Sequence, residues 1–187
     1  MLSWSVDEVK GLQCDNRSRL LFTGTETEVV VVYSSAPIAP ERDRFYFEAQ
    51  ILGDSALVAI GLSTNKEARK VPGWCDDSIA IFGFDGAIHH GLNNIISVST
   101  KPFKKGDTIG CYTRRISDAY GTVNVCQFEK NGEIVGPTRY LEGNILYPAV
   151  AMGSKSAEII TNLGSDKFRY SPGIMICLYI CKSKMLK

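Results

Sequence analysis

Apolar and polar residues alternate with a period of two along residues 45–52, with Phe45, Phe47, Ala49 and Ile51 on one side and Tyr46, Glu48 and Gln50 on the other. Successive side chains of an extended chain point to opposite faces, so this pattern predicts a strand with one face in a core. Residues 123–129 alternate in the same way, Val123, Val125 and Gln127 against Asn124, Cys126 and Phe128. Shorter β-branched and aromatic runs predict further strands at 20–22, 29–33, 57–62, 78–84, 87–90, 108–113, 133–135, 147–152 and 158–163. Turn dipeptides separate them. Asp85-Gly86 and Asn131-Gly132 predict hairpins, and Gly53-Asp54 predicts a tight turn that makes 45–52 and 57–62 a hairpin pair. Pro148 cannot donate to a ladder, which places it at a strand start or on an edge strand. Helical signal is confined to one short turn within residues 4–12, capped by Ser3 or Ser5. Strands at a spacing of about 10–15 residues predict an all-β sandwich or barrel.

The chain of 187 residues suffices for one domain with a full core, expected over 1–172 and followed by an apolar, then basic, tail at 173–187. That tail's apolar run, 174–181, is too short for a bilayer, which needs about 20 residues in a helix. The first ten residues reach charge at Asp7 without an apolar stretch, so no secretory signal is expected. No membrane association is expected either, and the cytoplasm or nucleus is the expected location, unless a signal lies upstream of this sequence. The net charge is +1, from 21 basic and 20 acidic residues. Nucleic-acid binding draws its affinity from a clustered basic excess, so nucleic acid is not an expected partner. The six cysteines, at 14, 75, 111, 126, 177 and 181, form no C-x-x-C pair. They read as free thiols in a reducing compartment, although an even count leaves disulfides open.

Catalysis and metal binding need convergent polar groups, and the chain offers few. It lacks G-x-S-x-G, H-E-x-x-H, P-loop and EF-hand patterns, and its glycine-bearing turns lead into strands rather than helices. His89 and His90 are adjacent, so on a strand they face opposite ways and cannot easily hold one metal together. Cys75 reads as an ordinary thiol, and Asp76-Asp77 falls short of a calcium site. The expectation is no enzyme, no cofactor and no metal.

Read in order, several pieces resemble the SPRY domain, in the branch found in Ran-binding-protein-M-type proteins. They are Phe45-Tyr46-Phe47-Glu48; Ile60-Gly61-Leu62-Ser63; Val71-Pro72-Gly73-Trp74; Gly83-Phe84-Asp85-Gly86; Phe103 through Lys105-Gly106-Asp107 to Cys111; Phe128-Glu129-Lys130-Asn131-Gly132; Leu146-Tyr147-Pro148-Ala149-Val150; and Asn162-Leu163-Gly164. The resemblance implies a sandwich of two antiparallel sheets that grips a peptide segment of a partner protein with loops at one end. It also implies an adaptor, such as a scaffold or substrate-recruiting subunit linked to ubiquitin ligase assembly. A secreted, host-directed effector of the kind found in plant-parasitic nematodes is the alternative. A monomeric domain is expected.

Most of the matching residues are turn and core residues, so binding is sought in the loops. The candidates are Lys66 and Arg69 in the charged stretch before Pro72-Gly73, then Trp74, His89 and His90, and Arg114, Arg115 and Tyr120. Trp74 is either an interface anchor or packed against the scaffold, since tryptophan and arginine dominate hot spots but proline and glycine precede it. Residues 114–122 are longer than the family's usual turn at this point, which predicts a variable loop.

Overall fold

The computed structural model describes residues 2–7, 9–15, 18–25, 28–66, 70–91, 95–96, 101–119 and 121–170. Among them the strands are β1 (Leu12–Asp15), β2 (Arg19–Phe22), β3 (Val30–Tyr33), β4 (Arg44–Ile51), β5 (Val58–Ser63), β6 (Ser78–Phe82), β7 (Ile88–His90), β8 (Ile95–Ile96), β9 (Thr108–Asp118), β10 (Gly121–Lys130), β11 (Glu133–Glu142), β12 (Tyr147–Met152) and β13 (Glu158–Asn162). A seven-stranded sheet runs β1-β2-β13-β4-β9-β10-β11, and a six-stranded sheet runs β3-β12-β5-β6-β7-β8. All strand pairings are antiparallel.

The two sheets close on one core. Phe47 and Ile51 of β4, Ile109 of β9 and Phe128 of β10 meet Ile60 and Leu62 of β5, Ile79 and Ile81 of β6 and Ile88 of β7, all at most 1% exposed. Each such side chain contributes about 1.5–3 kcal/mol by leaving water. The period-two patterns at 45–52 and 123–129 therefore mark strands of the larger sheet, with their apolar faces inward. Asp85-Gly86 and Asn131-Gly132 join paired strands, as expected, and Asn131 adopts a φ of 56°, a value asparagine tolerates. Pro148 is the second residue of β12, a strand-start position.

Three expectations need correction. β4 and β5 are not a hairpin: β4 pairs with β13 and β9, whereas β5 pairs with β12 and β6, so residues 52–57 carry the chain from one sheet to the other. Both strands are buried on the core side, and a crossover lets their apolar faces meet, which a hairpin would prevent. The helical turn at 4–12 is not formed: among the described residues the segment holds a bridge at Trp4 and a single turn in which the Val9 amide donates to the Val6 carbonyl at 2.9 Å. Trp4 bridges Ser34, its indole Nε1 donates to Thr161 Oγ1 at 2.7 Å, and Gly11 turns the chain at a φ of 80° into β1. Burying the indole against the core outweighs a weak local helix. Finally, residues 114–118 continue β9 rather than forming a loop.

The register sorts the connections between two ends. At the front lie 34–43, 64–77, the β9–β10 tip and 142–146; at the rear lie 52–57, 83–87, 131–132 and 153–157. The outward face of the smaller sheet carries small residues, Ala59, Ala80 and Ala151, each at most 1% exposed. Short side chains there let residues 70–73 lie close, with Val71 packed on this patch. Tyr33 Oη donates to the Lys70 carbonyl at 3.1 Å, and the Gly73 amide donates to Ser78 Oγ at 2.8 Å.

Candidate functional site

Arg115 organises the front end. Its Nη1 donates to the Pro40 carbonyl at 2.8 Å and its Nη2 to the Asn144 carbonyl at 3.2 Å, while its backbone amide donates to the Asp43 carbonyl at 2.7 Å. One side chain on β9 thus ties the 34–43 and 142–146 connections to the larger sheet. The β9–β10 hairpin can do this because its ladder runs unbroken to Asp118↔Gly121, with Ser117 and Thr122 hydroxyls 3.0 Å apart near the tip. β-branched Ile116, Thr122 and Val123 favour that extension. Arg114 lies opposite Val125 on one side and Arg44 on the other, and Arg44 is 3.8 Å from Asp43. Around these fixed points Glu41, Arg42, Asp43, Asp118 and Asn144 are exposed, and Ile145 is an exposed apolar residue among them.

On the 64–77 connection, the Lys66 ammonium sits over the Tyr147 ring, 5.6 Å from its centroid. Trp74 stacks nearly parallel on Phe82, with ring centroids 5.5 Å apart, yet stays 44% exposed. One face of the indole packs on the scaffold and the rest meets solvent. Phe84, 45% exposed, leans edge-on against Phe82 and His89. Beneath Trp74, the Cys75 thiol is 3.0 Å from Ser78 Oγ, and burial pushes it up to about 11. At neutral pH it is a thiol, not a thiolate nucleophile.

The two histidines have different surroundings. His89 is buried against Phe82, and its Nε2 is 3.1 Å from the Asp85 carboxylate, a contact that ties β7 to its own turn. His90 is half-buried; burial and then the nearby Arg139 charge hold it below the ordinary histidine value, opposed by a hydrogen bond to the Asp76 backbone. Among the described residues no group of three or more His, Cys, Asp or Glu side chains is placed to hold a metal.

Of the sequence candidates, Lys66, Trp74, Arg114 and Arg115 belong to connections or strand ends that reach the front or the adjoining face. His89 is a scaffold contact, and Arg69 and Tyr120 lie outside the described residues. Arg114 and Arg115 stand in β9, not in the expected loop, and Arg115 holds neighbouring loops in place. Sequence reasoning missed the aromatic role of Phe84, which reads as the end of a buried strand. It also missed the polar outward row of β4, where Tyr46 and Glu48 are buried rather than solvated.

The model of the SPRY domain family matches residues 44–166. SPRY domain-containing protein 3 of Homo sapiens is 30% identical over 161 residues, covering 84% of this chain and 36% of that protein. The Ran-binding protein M homolog of Arabidopsis thaliana is 29% identical over 147 residues, 76% of this chain and 30% of that protein. The chain thus spans about a third of the length of these curated relatives. Among solved structures, a human SPRY domain superposes with a TM-score of 0.71 at 25% identity, covering 86% of this chain and all of that one. The SPRY domain of human HERC1 gives a TM-score of 0.63 at 15% identity over 88% of this chain, a likeness of fold.

Proposed function

Because the chain belongs to the SPRY domain family, whose members are generally protein–protein interaction modules, we propose that it is an adaptor module that holds a peptide segment of a partner protein at the front end of the sandwich. One observation carries the reading. The topology brings the start of the β5–β6 connection at 64–66, the β9–β10 hairpin and the loops at 34–43 and 142–146 to one end, and Arg115 fixes the last two, while Trp74 stacks on Phe82 on the adjoining outward face of the smaller sheet. Binding loops gain affinity when a scaffold holds them before the partner arrives, since less ordering entropy is lost. Trp74 is the natural anchor, a large ring half in water and half on the scaffold. At the front end the exposed charges, Glu41, Arg42, Asp43 and Asp118, are mixed in sign, which suits a polar peptide better than a phosphate backbone.

The finer assignment within this reading is a scaffold or substrate-recruiting subunit linked to ubiquitin ligase assembly. A photo-crosslinking amino acid placed in turn at Lys66, Arg42 and Asp118, and at the rear positions Lys105, Glu133 and Lys155, tests the face directly. Cross-links to one partner from the front positions, absent from the rear ones, are expected. Equal or preferential capture from the rear overturns the reading. The partner's identity then separates an intracellular adaptor from the host-directed alternative.

A further inference from the structure

The outward face of the smaller sheet ends at the rear in a continuous apolar row. The β3–β12, β12–β5 and β5–β6 registers, carried past their last pairs, set Val29, Gly153, Leu57 and Phe84 side by side. The Gly153 amide donates to the Leu57 carbonyl at 2.9 Å and the Gly83 amide to the Val58 carbonyl at 2.7 Å, which keeps the row in line. Gly153 has no side chain and its neighbours close over it: a Cβ there would stand 2.9 Å from Val29 Cγ2 and 3.4 Å from Leu57 Cβ. On the same face, two residues further into the sheet, Phe82 is buried beneath Trp74, and Phe84 meets it edge-on with ring centroids 5.5 Å apart. The row therefore runs up to the Trp74 ring.

Val29, Leu57, Trp74 and Phe84 are each 40–45% exposed. The other exposed large apolar side chains among the described residues are scattered over β11, the 142–146 connection and β13. Scattered apolar residues are ordinary on a protein surface, whereas a contiguous row marks a contact. Its size limits what can cover it. The four side chains together offer about 350 Å², well short of the roughly 800 Å² that each folded partner gives to a stable interface. A short segment fits this area and a second copy of the chain does not.

Trp74 narrows the chemistry of that segment. Its indole Nε1–H makes no hydrogen bond among the described residues, unlike that of Trp4, which donates to Thr161 Oγ1 at 2.7 Å. A helix has already spent its carbonyls on its own amides and offers this donor nothing. An ordinary extended segment offers carbonyls, but it also brings amide N–H groups that an apolar row leaves unsatisfied. A proline-rich segment offers free carbonyls and lacks those donors. Its geometry matches as well. In a polyproline II helix every third residue returns to one edge, about 9.3 Å on. Val29 and Leu57, on either side of β12, stand two strand spacings apart, about 9.6 Å.

We propose that this row binds a proline-rich segment of a partner protein, laid across the strands in the polyproline II conformation with a carbonyl accepting from the Trp74 indole. The surface is separate from the front end: Val29, Leu57 and Phe84 lie at the rear, and Trp74 lies on the face between.

The test is a ¹H–¹⁵N NMR titration of the whole chain with a blocked ten-residue polyproline peptide. A glycine–serine peptide and an amphipathic leucine–lysine helix of equal length serve as comparisons. The chain has two tryptophans, so the Trp74 indole resonance reports contact while that of Trp4, already bonded, serves as the internal reference. Polyproline is expected to shift Trp74 Nε1–H and the Leu57 and Phe84 amides saturably, leaving Trp4 in place. Phe84→Ser and Leu57→Ser, both at exposed positions, should weaken binding at least fivefold each with the spectrum otherwise unchanged. Trp74→Phe, which keeps a ring and loses the donor, should weaken it too. The proposal is overturned if polyproline does not saturate, if both serine variants bind as well as the parent, or if the helical peptide binds more tightly. Self-association by light scattering that Phe84→Ser abolishes would also overturn it, since a second copy would then be the occupant. None of these outcomes moves the cross-linking from the front positions, so the two readings fail separately.

Discussion

Replacing Arg115 with alanine removes the two side-chain hydrogen bonds that hold the 34–43 and 142–146 connections to β9. Hydrogen bonds from a charged donor contribute about 1.5–3 kcal/mol each. Against this stands the guanidinium's Nε, which is buried without a partner and costs about 1–3 kcal/mol. Pro40 and Asn144 are exposed, so water can serve the freed carbonyls. The net expected loss is about 2 kcal/mol, or roughly 4–8 °C in Tm for a chain of this size. Urea unfolding should show a lower midpoint with an unchanged m-value, because the folded core is intact. Hydrogen exchange should accelerate at the amides of 41–43 and 144–146 while the β4 and β9 ladders keep their protection. Arg115→Lys cannot span both carbonyls and should recover no more than half. A loss under about 0.5 kcal/mol, the range of ordinary surface substitutions, with unchanged exchange in both loops, would refute the role of Arg115 as the clamp of the front end.

Gly110→Ala should destabilise by about 1–3 kcal/mol through overpacking, because its Cβ would stand 2.3 Å from the Tyr46 hydroxyl and 2.8 Å from its ring. The same change in a Tyr46→Ala background should cost nothing, and a double-mutant cycle without coupling would disprove the contact's importance. For His90 the folded state favours the neutral ring, so its contribution is present above the unfolded value near 6.5 and is lost as pH falls through the lower folded pKa. Stability measured from pH 7 to pH 5 should therefore fall less steeply in His90→Gln than in the parent. Cys75, with its thiol near 11, should resist iodoacetamide at pH 8 in the native state and react in urea; full native modification by peptide mapping would contradict its burial.

The sandwich was legible because the inward face of β4 is apolar: Phe45, Phe47, Ala49 and Ile51 could face only a core. Sheet membership was not, since β4 and β5 look alike in pattern and only the global pairing separates them. β1 is too short and polar to stand out, with Gln13 and Asp15 in a four-residue strand. The 114–118 stretch reads as loop because two arginines, a serine and an aspartate dilute its β-branched residues, yet an exposed hairpin arm tolerates charge on both faces. The proposed site was partly legible: Trp74 and Arg115 stand out by residue type, though type does not say that Arg115 spends its guanidinium on the Pro40 and Asn144 carbonyls. The burial of Tyr46 and Glu48 was hidden, because an alternating strand's polar face reads as a solvent face, and it is Phe168 and Arg169, distant in sequence, that lie on them.

The neighbours of the first strands have a consequence for synthesis. β2 pairs with β1 on one side and β13 on the other, and β3 pairs with β12, so each of these early strands has a lateral partner among the final described strands. A chain emerging from the ribosome must carry those early apolar segments with that side unpaired until the late strands have cleared the exit tunnel. Such a topology folds as a unit only once the late strands have emerged, slowly and with exposed edges in the interval. Chaperone demand should therefore track the time spent translating the middle of the message, and synonymous pauses there should lower yield without altering the purified protein.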